Sequence, residues 1–285
     1  MRDDLVFRRG LSDDFVAQLM SGHLAPLLSA ADNFGLDVQI RENYLNFYYE
    51  GLSLLKLSQN NRDVRYRAVI HREFLSDISY PEPLAPEGFY CRFAASEAFV
   101  AAYVANLERL LANAQPHAKA EAAIEQRIIK AGCSPDAPLV LIDRQVQLHG
   151  VSGRADMVGM TGDGQFVIVE LKQGLDNRIQ HLLDQMRDYY TIMAATDGLL
   201  RMEMAHAYRK VVQQKQSLGL LPPALRFPEG RPPVTCLLVL YDYNPASKLL
   251  TRLLTTAALH SLPIALVELP PGSYTLPPAA AWKPL

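Results

Sequence analysis

Residues Gly153 to Lys172 read GRADMVGMTGDGQFVIVELK, and the fold turns on them. Two extended segments flank a tight turn. Arg154–Met160 is the first, and Gln165–Lys172 is the second, with Phe166, Val167, Ile168 and Val169 as an unbroken apolar run. Such a run suits a central strand buried on both faces. Thr161-Gly162-Asp163-Gly164 between them is a hairpin signal. Side chains alternate along a strand, and residues paired across a hairpin share a face. Glu170 and Lys172 are two apart and share one. A three-residue loop of Gly162, Asp163 and Gly164 pairs Thr161 with Gln165, Asp156 with Glu170 and Arg154 with Lys172. Asp156 then joins the face of Glu170 and Lys172, whereas a bulge would shift the count by one.

Two adjacent carboxylates repel, and one holds a proton unless a cation sits between them. Hard divalent cations take oxygen ligands from one or two carboxylates, with waters and phosphate completing the shell. A nearby lysine can orient a hydrolytic water and offset charge building on a phosphate. Asp156, Glu170 and Lys172 therefore read as a site for phosphodiester hydrolysis, with Mg2+ or Mn2+ as the cation.

An Asp, a hairpin and then Glu-x-Lys resembles the signature of the PD-(D/E)XK nuclease superfamily, with Ala155 standing where the proline of that name would be. The resemblance implies a restriction endonuclease-like α/β fold, a mixed sheet flanked by helices. It implies that Asp156, Glu170 and the Leu171 carbonyl bind metal and that Lys172 positions the attacking water. It also implies a helical glutamate ligand before the first core strand. Glu121 and Glu125 lie one turn apart on an expected helix over 117–131, and Glu125, followed by Ile128 and Ile129, fits better. Leu139–Leu148 (LVLIDRQVQL) is the expected strand after it. Beyond Lys172 a helix over Asn177–Ala195 carries His181, Gln185 and Tyr189. A Gln followed by a Tyr recurs on this helix among RecB-like members, which implies that Gln185 lines the site; Tyr189 suits a packing role equally well. Arg154, Arg178 and Tyr189 are the candidate nucleic-acid contacts. A helix over Leu199–Gln214, a strand over Thr235–Tyr241, a helix over Ser247–His260 and a strand over Ile264–Leu269 continue the α/β layout.

Upstream, Ser12 caps a helix expected to run unevenly to about Asn33. Leu36–Arg41, Tyr44–Tyr49, Leu52–Leu57 and Val64–Ile70 then read as an antiparallel meander. It carries Tyr44, Phe47, Tyr48, Tyr49 and Tyr66, with Arg41, Lys56, Arg62, Arg65, Arg67 and Arg72. This is either a sheet that contacts nucleic acid or a sheet with a tyrosine-rich core and solvated charges. The interspersed Asp37, Glu42, Glu50, Asp63 and Glu73 favour the second reading. Pro81, Pro83 and Pro86 mark the expected boundary. A helix over Ser96–Ala112 follows. The expected organisation is an α+β antiparallel module over 1–90, serving recognition or dimerisation, a nuclease-like domain over 91–269 and a proline-rich surface tail over 270–285.

The 285 residues are 49% hydrophobic and 20% charged, with net charge −2, so a basic cleft has to be local rather than general. Cys91, Cys133 and Cys236 have no metal-like spacing and suit reduced thiols in the cytoplasm. No apolar run is long enough for a membrane span. His149, His181 and His206 lack metal-binding spacing, and no nucleophilic triad stands out. The function expected is a metal-dependent nuclease acting on DNA, with a homo-oligomer possible through the N-terminal module. The alternatives are a silent nuclease fold used for binding or assembly, and a metal-dependent hydrolase of a small substrate.

Overall fold

A computed structural model describes every residue except 1–6, 61–64, 82, 148–152, 175–178, 195–198, 231, 245, 247, 249–250, 253–254 and 256–261. The chain forms two compact units, one of Arg9–Gln126 with Gln213–Leu220, the other of Met1–Arg8, Arg127–Val212 and Leu221–Leu285. Both are α/β, each built on one sheet.

In the N-terminal unit the Ser12 hydroxyl accepts from the Phe15 N–H and starts α1 (Asp13–Ser21). The expected single helix is two. Gly22 is extended, and α2 (Ala25–Asn33) restarts with a proline in its first turn. Pro26 cannot sit inside a longer helix, because it lacks an N–H and clashes with the preceding turn. The sheet order is β1 (Asp37–Ile40), β2 (Tyr44–Tyr49), β3 (Leu52–Gln59), β4 (Tyr66–His71), β6 (Tyr90–Ala94), β5 (Ala85–Glu87), all antiparallel. One face holds Leu45, Phe47, Leu55, Leu57, Tyr66, Ala68, Ile70 and Phe93, all buried. Phe15 of α1 packs on Tyr66, and Phe99 of α3 (Glu97–Ala105) packs on Phe93. Ser96 caps α3, and Asn106 separates it from α4 (Leu107–Ala114), where one helix was expected.

The proline-rich stretch is not a boundary. β5 and β6 continue the sheet beyond it, and Arg92 on β6 lies opposite Val69 on β4. Alternation over only five residues, Tyr90–Ala94, is too short a signal to stand out beside three prolines. The division falls instead within α5 (Ala120–Gly132), which contributes residues to both units, as α7 (Leu199–Ser217) also does.

The second unit has strand order β12 (Lys283–Pro284), β11 (Ile264–Leu269), β10 (Val234–Tyr241), β9 (Phe166–Gln173), β8 (Ala155–Thr161), β7 (Leu139–Val146). β7, β8 and β9 are antiparallel; β9, β10 and β11 are parallel. β9 is central and its apolar run is buried. The Cys236 thiol on β10 faces the Met186 carbonyl of α6 (Ile179–Ala194), which therefore covers the sheet face carrying Ile168 and Glu170. Phe166 meets Tyr208 of α7 on that same face. The terminal segment is anchored at two points. β12 pairs with β11, and Trp282 is buried with its indole N–H on the Pro277 carbonyl at 2.8 Å. The expected helix over Ser247–His260 lies largely outside the described residues.

Candidate metal centre

The β8–β9 hairpin has the odd-loop register. Met157, Val158, Gly159 and Met160 lie opposite Val169, Ile168, Val167 and Phe166. The Thr161 N–H bonds the Gln165 carbonyl, and the Gly164 N–H bonds the Thr161 carbonyl. Continued outward, this register sets Asp156 opposite Glu170, and Glu170 lies opposite Leu238 of β10. Lys172, two residues on, puts its Nζ 3.0 Å from Glu170 Oε1. Glu170 is 4% exposed.

The ladder changes character at Asp156. Its last regular pair is Met157 with Val169. The Leu171 N–H, which a continued ladder would give to Ala155, donates to Asp156 Oδ2 at 2.8 Å. In a strand a residue's N–H and C=O leave along the same edge. The Leu171 carbonyl therefore points toward β8 and Asp156, as expected of a ligand oxygen.

β7 completes the setting. A bulge between Leu141 and Asp143 shifts its register, so Arg144 lies opposite Met157 and Val146 opposite Ala155. Gln145 falls opposite Asp156, with φ +48°, and donates from Nε2 to Asp156 Oδ1 at 3.3 Å. Asp156 is thus gripped by two donors, while a carboxylate has about four lone-pair positions in all. Asp143, 1% exposed, accepts from the Arg144 N–H and from the Tyr208 hydroxyl at 3.3 Å. Neither Asp143 nor Gln145 stands out in the sequence. The only hint is the polar run Asp143-Arg144-Gln145 inside an apolar strand.

Helix α6 ties down the open end of the ladder. Gln185 Nε2 donates to the Arg154 carbonyl at 2.9 Å. Gly153 has φ +97°, a backbone conformation that favours glycine, and a Cβ there would lie 3.3 Å from the Gln185 carboxamide. Tyr189, 1% exposed, donates to the Val146 carbonyl at 3.5 Å and takes the Ala155 N–H. Its hydroxyl sits at the last β7–β8 pair. Burial, and then the Glu170 charge, push its phenol well above the usual range. Burial and Glu170 likewise push the Cys236 thiol up to about 12. Tyr189 is enclosed and cannot contact nucleic acid; it is a strand clamp. Arg154 remains at the surface, with Nε on Gln147 Oε1 at 3.2 Å. Arg178 lies outside the described residues.

Among the described residues no group of three or more His, Cys, Asp or Glu is placed to hold a metal ion. The expected third carboxylate, Glu125, is 4% exposed on α5 and belongs to the N-terminal unit. The donor set at the hairpin is two carboxylates and one carbonyl, all oxygen. That fits a hard cation whose remaining positions are filled by water and phosphate, and it does not fit zinc, which prefers nitrogen and sulfur.

No family model and no curated protein matches the chain. Among solved structures it is similar to a complex of EndoMS with double-stranded DNA, at 11% identity, covering 81% of this chain and 74% of that one, TM-score 0.24. A repair endonuclease from Pyrococcus abyssi is similar at 15% identity, covering 87% of this chain and 94% of that one, TM-score 0.23. Likenesses at this level leave the reading to the residues themselves.

Proposed function

We propose that the chain is a divalent-metal-dependent nuclease of the PD-(D/E)XK kind, hydrolysing phosphodiester bonds in DNA and working in the cytoplasm. One observation carries the reading: Asp156 and Glu170 oppose each other on adjacent strands, with Lys172 on the same face and the Leu171 carbonyl directed toward Asp156. Asp156, Glu170 and Leu171 would hold Mg2+ or Mn2+. When bound, such an ion lowers the pKa of a water and offsets charge on the phosphate. Lys172 orients the attacking water. Its ammonium lies 3.0 Å from Glu170, and with a cation held by that carboxylate it would be placed to orient the water. Gln185 and Tyr189 hold the strand ends so that the carboxylates keep their spacing, and Arg154 lies at the rim within reach of a phosphate.

The Lys172–Glu170 ion pair also suits a second reading, a nuclease fold that binds without turnover. Incubation of the protein with labelled single- and double-stranded DNA and RNA, with and without Mg2+, separates the two. Mg2+-dependent cleavage that disappears in Asp156→Ala supports the enzyme. Metal-independent binding without cleavage would overturn it.

A further inference from the structure

We propose that the uncovered face of the N-terminal sheet binds single-stranded nucleic acid. The face is set by register alone. Tyr44, Asn46 and Tyr48 on β2 lie opposite Ser58, Lys56 and Ser53 on β3. Lys56 and Ser58 lie opposite Val69 and Arg67 on β4. Arg67, Val69 and His71 lie opposite Ala94, Arg92 and Tyr90 on β6. Every one of these residues is half-buried or exposed, while the alternate positions form the core. At the β1 edge the face is closed by the end of α7, where Lys215 Nζ reaches Gln39 Oε1 at 2.8 Å. The open part spans β2 to β6.

Its middle is basic. Lys56, Arg67 and Arg92 lie in adjacent rows, and β2, β3, β4 and β6 contribute no Asp or Glu to this face. Lys56 and Arg92 both lie opposite Val69, and burial, then the charge of Arg92, lower the Lys56 pKa. Lys56 has no carboxylate partner among the described residues, and its Nζ lies over the Tyr44 ring at 4.1 Å. A chain of net charge −2 thus gathers three basic side chains on one stretch of sheet. The acids lie around this middle. Glu42 and Glu50 are in turns, Asp37 is buried on β1 opposite Tyr48, Glu73 lies 3.8 Å from His71, and Glu87 on β5 is opposite Tyr90.

Its rings are exposed where a core would hide them. Phe89 is 71% exposed and Tyr90 51%. Phe89 stacks parallel on His71 at 6.0 Å, and Tyr90 meets His71 edge-on at 5.4 Å. Cations that track a phosphate chain, interleaved with rings that offer stacking faces, suit unpaired bases. A duplex keeps its bases stacked inside and cannot use the rings.

The proposal is independent of the nuclease reading, so its test runs in EDTA, where no metal-dependent cleavage occurs. Full-length protein is titrated into a fluorescent 20-nucleotide oligothymidylate and anisotropy is read across salt concentrations. Three phosphate contacts on a single strand give a slope of log affinity against log salt of about −2. Lys56→Glu with Arg92→Gln is expected to weaken binding at least tenfold and reduce the slope to about −0.7. Phe89→Ala with Tyr90→Ala is expected to weaken binding several-fold with the slope unchanged. Lys56→Gln alone, at an exposed position, gives a milder loss and guards against a folding defect in the charge reversal. The proposal is overturned by absence of binding, by preference for a duplex of the same length, or by full affinity in the Lys56/Arg92 variant.

Discussion

Asp156 is held by the Leu171 N–H and the Gln145 amide, whereas Lys172 pairs with the Glu170 carboxylate and is partly exposed. The two residues should therefore fail differently. A residue that acts in the transition state lowers rate without altering substrate affinity. Lys172→Ala is expected to cut single-turnover cleavage about 10²–10³-fold with nucleic-acid affinity within a few fold. Asp156→Ala is expected to lose the Mg2+ dependence as well, read by titrating the metal in the same assay. If Lys172→Ala keeps its rate, its charge belongs to Glu170 alone. At Cys236 a thiol raised to about 12 stays protonated at neutral and mildly alkaline pH. Thiol-reagent kinetics at pH 8 should show Cys91 and Cys133 reacting in the native protein and Cys236 only after unfolding.

Among elements, the hairpin and α6 act as one device. The β8–β9 ladder ends at Met157, and Gln185 and Tyr189 bond the backbone just beyond it. Tyr189→Phe removes one hydroxyl from an enclosed backbone site, which should cost about 1 kcal/mol in denaturant unfolding. It should also lower cleavage rate more than metal-free binding, because it loosens the carboxylates and not the surface. Gly159 tests the other side of the hairpin. A Cβ there would lie 2.8 Å from the Val140 carbonyl and 3.0 Å from Leu141. Backbone cannot move aside cheaply, so Gly159→Ala should destabilise the second unit by about 1–3 kcal/mol, visible as a lowered unfolding midpoint.

At the scale of the whole molecule the division of the chain alters what a truncation does. Pro81 to Pro86 reads as a linker, yet β6 pairs with β4 across it, and α3 packs Phe99 onto Phe93 of that sheet. Removing residues 1–80 would leave β5, β6, α3 and α4 without the strands and helices that bury their apolar sides. That truncated protein is expected to aggregate, as size-exclusion chromatography would show, and a monodisperse product would restore the proline boundary. Gln214 and Lys215 belong to the N-terminal unit although some ninety residues separate them from its main segment. Gln214 bonds both the N–H and the carbonyl of Leu11 at 2.9 Å.

What the sequence determined by itself is local and periodic. The hairpin register, the shared face of Asp156, Glu170 and Lys172, the Ser12 and Ser96 caps, and the first three meander strands follow from alternation, turn chemistry and capping, each read within about twenty residues. Tertiary structure decided the rest. The β7 bulge that sets Gln145 opposite Asp156 depends on pairing with β8, and no local pattern announces a positive φ at a glutamine. Tyr189 became a strand clamp because α6 packs on the sheet and shuts out solvent. The N-terminal charges that alternate in sign along the chain are sorted by the sheet, which gathers Lys56, Arg67 and Arg92 onto one face and leaves the acids in turns and at the edge. Sequence order mixes the two faces of a strand, and only cross-strand pairing reveals which residues share a surface.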